Sequence, residues 1–266
     1  MAVPEVIEWE NVRGFRIQND KEIRYDILLD HVIASFKSLE SIEQFKNKGI
    51  KIISSLNDEE IGGWSSYKCF FGEIDYDGKE YCINNGKWFE IDNDFVKKIN
   101  DEYGKSTISN IDFIDNLGLK ESEYNKLLAK SNDNFICLDG NNVSYGGGHS
   151  KIEICDILTK ENQLIHIKQY GGSAVLSHLF NQAVVSAELI KSDLRFIEEA
   201  NKKISKNEFK ISQDKIYDVI FGIISNDSEE LPHLPFFSKI SFCNANRKLK
   251  AMGYNPAIKR IRSITI

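Results

Sequence analysis

The chain has 266 residues with 34 Lys+Arg against 40 Asp+Glu, a formal net charge of −6, 41% hydrophobic and 11% aromatic residues. This apolar content excludes a disordered chain, and no apolar run approaches the roughly 18–20 residues that span a bilayer. The N-terminal MAVPEVIEWENVRGF lacks the basic start and apolar stretch of a signal peptide, and the five scattered cysteines contain no CxxC. Neither a disulfide framework nor a zinc site is therefore indicated, and the expected compartment is cytoplasmic.

Residues 1–60 mix extended and helical patterns. Tyr25–Ile33 reads as an element of a packed layer and Ser41–Lys48 as a short polar helix. A β meander follows: Tyr67–Tyr76, the turn Asp77-Gly78, Lys79–Ile83, the turn Asn85-Gly86, then Lys87–Ile91. Asp-Gly and Asn-Gly tolerate positive φ at both turn positions, so two hairpins are predicted. Trp64 and Trp88 fit the core or a meander face. Asp94–Tyr103 reads as a helix, and Leu117, Leu119, Tyr124, Leu127 and Leu128 anchor short helices within a polar stretch.

Phe135–Leu138, Ile152–Leu158 and Leu164–Lys168 read as strands. A helix begins at Ser173, a candidate N-cap, with Leu176, Leu179, Phe180, Ala183, Val184, Ala187 and Ile190 forming one stripe. Asp193–Lys203 continues as helix, and Tyr217–Ser225 is an apolar strand suited to a covered sheet. Phe236–Phe242 reads as a strand, Asn244–Met252 as a basic helix and Ala257–Ile261 as a last strand. The predicted fold is α/β (α+β) with a mixed central sheet. An N-terminal region (1–130) carrying the meander precedes an α/β domain (131–266). Tyr145-Gly146-Gly147-Gly148-His149 precedes a strand rather than a helix, so it reads as a hairpin loop and not a P-loop.

Alternation along ideal strands places Ile154, Asp156 and Leu158 on one face and Glu153, Cys155 and Ile157 on the other; Leu164, His166 and Lys168 share a face. If these strands align, Asp156, His166 and Lys168 converge at one sheet edge. The next helix presents His178 and Gln182 on a polar arc. Ser177-His178 is no nucleophilic pair, because adjacent helix residues do not face each other. Cys155 lies opposite Asp156 and reads as buried.

Asp156, Lys168 and Gln182 in this order resemble the PD-(D/E)xK nuclease core, the fold of many restriction endonucleases. The resemblance implies a divalent ion, Mg2+ or Mn2+, which takes hard oxygen ligands and retains waters. It makes Asp156, Lys168, His166 and Gln182 the candidate catalytic residues. The position two before Lys168 is His166 where the motif has an acid, although His can ligate metals or act as a base. Asp139 or Glu153 would supply the missing carboxylate beside Asp156. Glu153 faces the wrong way in an ideal strand, so Asp139 or a strand irregularity is required.

The run IEICDILTKENQLIHIKQYGGSAVLSHLFNQAVVSAELI is similar to a bacterial family of sporadically distributed, uncharacterised proteins. VPEVIEWENVRGF, GKEYCINNGKWFEIDNDFV and LPFFSKISFCNANRKLKAMGY resemble it too. Its members are often encoded near restriction-modification and phage-defence genes and are usually about twice this length. The resemblance implies a defence context, with DNA as the expected partner, RNA as an alternative, and a homo-oligomer or other defence proteins as protein partners.

Plainer readings stand beside these. Lys168 could simply pair with Asp156, His166 could be a hydrogen-bonded core imidazole, and His178 and Gln182 ordinary helix-face residues. Residues 231–266 contain no acid and seven bases: Lys239, Arg247, Lys248, Lys250, Lys259, Arg260 and Arg262. They leave −13 on residues 1–230. Such a tail is either a solvated surface or a set of phosphate contacts.

Overall fold

A computed structural model describes residues 1–5, 7–144, 151–204 and 206–264. The Gly-rich run Tyr145–His149 lies outside them. The chain forms two compact units, Met1–Val96 and Lys97–Ile266. No helix among the described residues is long and apolar enough to cross a membrane.

The first unit contains β1 (Val12–Ile17), β2 (Ile23–Arg24), α1 (Leu29–Ala34), α2 (Ile42–Asn47), β3 (Gly49–Ser54) and β4 (Glu60–Ser65). Its strands form an antiparallel sheet in the order β2-β1-β3-β4, over a core that includes Phe15, Val32, Phe45 and Ile50. Tyr25–Ile33, expected as one element, is divided, because only Leu29–Ala34 is helical. The meander is β5 (Gly72–Tyr76), β6 (Lys79–Asn84) and β7 (Lys87–Glu90), paired in that order. Both turns take the expected backbone, with φ of 53° and 71° at Asp77-Gly78 and 48° and 69° at Asn85-Gly86. The first meander strand begins later than Tyr67, since Ser66–Cys69 is a 3-10 turn whose Lys68 N–H is held by the Ser65 hydroxyl.

The unit boundary falls within α3 (Asn93–Gly104). The second unit then holds α4 (Glu121–Ser131), β8 (Phe135–Cys137), β9 (Val143–Ser144), β10 (Lys151–Ile152), β11 (Ile157–Thr159), β12 (Gln163–Gln169), α5 (Ser173–Ser192), α6 (Leu194–Lys203), β13 (Asp218–Ser225), α7 (Phe236–Ala251) and β14 (Asn255–Arg262). The main sheet has the order β14-β13-β12-β11-β8 among the described residues. β8, β11 and β12 are antiparallel neighbours, whereas β12, β13 and β14 are parallel. The sheet is thus mixed. One face packs under α5 and α7, where Phe180, Phe221 and Phe242 meet with ring centroids 5.1–5.8 Å apart. The other face carries Ile157, Ile165, Ile167 and Ile220 against Tyr124 and Leu128 of α4.

Three expectations change here. The boundary at 130/131 moves back to 96/97, because residues 107–116 run along the outer edge of β14. Ile258 N–H donates to the Thr107 carbonyl, Ser109 N–H to Ile258 and Asn116 N–H to Arg262. Phe236–Phe242 is no strand but the first half of α7. Its buried stripe is Ser238, Phe242, Ala245 and Leu249, a spacing of 4, 3 and 4 that small and polar members hid from a hydrophobic count. Ile152–Leu158 is no continuous strand either. Lys151–Ile152 pairs with β9, Ile157–Thr159 pairs with β8 and β12, and residues 153–156 lie between them.

Candidate metal centre

Three carboxylates meet where that strand is broken. Asp139, just past β8, joins Glu153 and Asp156, each with one carboxylate oxygen within 4.8 Å of the others. The break explains how Glu153 and Asp156, on opposite faces of an ideal strand, come together. Around it the Asp156 carbonyl accepts from both Leu138 N–H at 2.8 Å and Asp139 N–H at 3.2 Å. Two residues opposing one is the signature of a bulge, a device that re-aims side chains.

Each acid is held by named donors. Asp156 is buried, and its Oδ2 accepts from the Ile167 N–H at 2.7 Å. Its Oδ1 and the Asp139 Oδ2 each lie 3.3 Å from Nδ2 of Asn125 on α4. Glu153 accepts from Gly140 N–H at 3.3 Å and from the Gln182 amide of α5. Burial pushes the Asp156 carboxyl well above the usual carboxylate range, against the hydrogen bond from Ile167 N–H; the charges of Glu153, Asp139 and Glu121 push it further. A buried acid beside other acids either holds a proton or needs a cation.

The donor set suits a metal ion. Opposed ligands stand about 4.2 Å apart around Mg2+ and about 4.8 Å around Ca2+, given their usual oxygen distances. Adjacent ligands stand closer, about 3 Å apart around Mg2+, so the three oxygens, within 4.8 Å of one another, would draw in by up to roughly 2 Å to share one hard cation. All three ligands are carboxylates, with no thiolate or imidazole among them, which disfavours zinc.

The other expected residues divide. Gln182 reaches the cluster through Glu153. Lys168 does not pair with Asp156: its Nζ lies 2.7 Å from Oε1 of Glu121, whose Oε2 also accepts from Gln169 N–H at 3.2 Å. His166 contributes nothing to the cluster. It is 1% exposed, its ring lies 6.3 Å from that of Phe221, and burial lowers its pKa to about 3. The expectation that Asp156, His166 and Lys168 converge is thus overturned. The strand break removes Asp156 from the alternation, Glu121 takes Lys168, and the aromatic core takes His166. His178 is exposed, and Cys155 is buried with its thiol pKa raised by desolvation.

Glu121 and Asn125 were missed. Both belong to α4, where Glu121, Tyr124, Asn125 and Leu128 fall on one helical face. A polar residue between two buried apolar ones at helical spacing was the available signal.

The basic tail is dispersed. Lys239 bonds to Asn100 Oδ1, Arg247 pairs with Glu102, Lys259 donates to the Ile111 carbonyl and Arg260 to the Asp227 carbonyl. Lys248, Lys250 and Arg262 are exposed. Arg262, opposite Ser225, lies at the same end of the parallel strands as Lys168. Lys250 sits at the other end, lining a cavity of about 390 Å³ with Gln163, Asp218 and Asn255, the first residues of their strands.

No curated protein and no solved structure matches the chain. A family model matches residues 1–262, and the chain belongs to that family, described as a family of unknown function, DUF6119.

Proposed function

We propose that the protein is a divalent-metal-dependent phosphodiesterase acting on DNA within a bacterial defence or restriction system. The observation that carries this reading is the convergence of Asp139, Glu153 and Asp156 beside Gln182, at the strand end that bears Lys168. The order α4-β8-β11-β12-α5-β13, with three antiparallel strands and a fourth parallel one, supports likeness to the restriction-endonuclease core.

In this reading Asp139, Glu153 and Asp156 hold Mg2+ or Mn2+. Such an ion, when bound, activates water and offsets charge on the scissile phosphate. Gln182 fixes Glu153. Asp156 is oriented by the Ile167 N–H. Lys168, once parted from Glu121, offers an ammonium to the phosphate. Incubating the protein with single- and double-stranded DNA and with RNA, plus Mg2+ or Mn2+, tests the proposal. Cleavage that disappears in Asp156→Ala and Lys168→Ala supports it; folded wild-type protein that cleaves none of these overturns it.

The Lys168–Glu121 pair favours one second reading. A lysine already neutralised by a carboxylate suits a module that binds nucleic acid without cutting it, its cation serving structure. Salt-sensitive binding without turnover, unaffected by Lys168→Ala, would select that reading.

A further inference from the structure

Asn125 is fully buried on α4, whose Tyr124 and Leu128 belong to the apolar core beside it. Its Nδ2 is shared between Asp139 and Asp156 at 3.3 Å each, while its Oδ1 is buried with no hydrogen-bond partner. An unpaired buried carbonyl oxygen is costly and uncommon in folded proteins. The amide is nevertheless the one α4 side chain in hydrogen-bond reach of two cluster acids among the described residues.

An amide presents a donor or an acceptor to the same place by a half-turn about Cβ–Cγ, and the two orientations differ only in their hydrogen-bonding partners. Without a cation, the NH2 orientation offsets repulsion between Asp139 and Asp156. With a cation among the carboxylates, the favoured orientation reverses, because hard ions accept amide carbonyl oxygens as well as carboxylates among their ligands. A fourth carboxylate here would deepen the repulsion that already raises the Asp156 pKa. A neutral amide serves both states.

We infer that Asn125 is the fourth oxygen ligand of the cluster, turning its Oδ1 onto a bound hard cation and its Nδ2 onto the two acids when none is present. This rests on the cluster binding a cation, and the test separates the two statements. Full-length protein, stripped with chelator, is titrated with Mn2+ and followed by the electron-spin signal of free Mn2+, for wild type, Asn125→Leu and Asn125→Asp. The side-chain carbonyl carbon of Asn125 is followed by NMR on saturation with Mg2+. The expected results are about 10–100-fold weaker binding in Asn125→Leu, tighter binding in Asn125→Asp, and a downfield carbonyl shift in wild type. Absence of Mn2+ binding by wild type overturns the metal centre itself. Wild-type binding with no carbonyl shift, or with unchanged affinity in a folded Asn125→Leu, overturns the role of Asn125 and leaves the three-acid site standing. If Asn125→Leu does not fold, the carbonyl shift alone decides.

Discussion

Asp139, Glu153 and Asp156 come from two separate segments yet bring their carboxylates within 4.8 Å, whereas the seven cations of residues 231–266, close in sequence, are spread over α7 and β14 and reach both ends of the parallel strands. The acids are gathered by a bulge and by donors from α4, α5 and the neighbouring backbone. Several bases are occupied by backbone carbonyls and carboxylates and serve to fasten the fold. Charge counted along a sequence therefore measures composition. Charge gathered by backbone geometry against the cost of desolvation marks a site.

The largest effect that would break this contrast is at Asp156. Mn2+ at roughly a hundred times its dissociation constant should stabilise wild type by about 2.7 kcal/mol, and Asp156→Ala should abolish that gain in thermal unfolding. Asp156→Asn should also make the metal-free protein more stable at neutral pH. Because the folded carboxyl titrates above its ordinary range, the folded state keeps a proton that the unfolded state has released. Stability contributed by this group is thus full at low pH and lost as pH rises through the folded pKa. Denaturant titrations across pH should show that decline in wild type and its removal in Asp156→Asn.

His166 tests the same contrast from inside the core, with the opposite sign. Its folded pKa lies near 3, so as pH falls below about 6.5 the unfolded chain takes up a proton that the fold refuses. Stability should fall by roughly 1.4 kcal/mol per pH unit in that range. The difference between wild type and His166→Phe at pH 7 and pH 4.5 isolates this term. A smaller effect is expected at Lys168. Its partly exposed pair with Glu121 is worth less than about 1 kcal/mol, so Glu121→Gln should barely change unfolding while altering any cleavage. The smallest effects belong to the tail. Charge reversal at Lys250, at the strand end away from Lys168, should change DNA affinity less than reversal at Arg262, as read by salt-dependent binding.

Much of the second unit was legible in the sequence. The stripe from Leu176 to Ile190 is buried as its spacing predicts, and Asp218–Ser225 is the covered strand expected from its apolar run. Periodicity carries that information wherever an element is regular. The site was legible only in part for the same reason: it stands on an irregularity. The resemblance singles out Asp156, with Asp139 or Glu153 as its companion, and these three carboxylates do gather, but the pairing of Lys168 with Glu121 spans a sequence separation that local pattern does not report. α7 was misread because Ser238 and Ala245 occupy its buried stripe.

The doubled acceptance at the Asp156 carbonyl also bears on how this protein tolerates change in length. The cluster depends on the number of residues between Ile152 in its small sheet and Ile157 in the main one, more than on which apolar residues fill that interval. Losing or gaining one residue there would leave both flanking pairings able to form but would turn Glu153 or Asp156 away from Asp139. In related chains, gaps should therefore be free in hairpin loops and rare between positions 153 and 156, even where Ile154 and Cys155 are replaced.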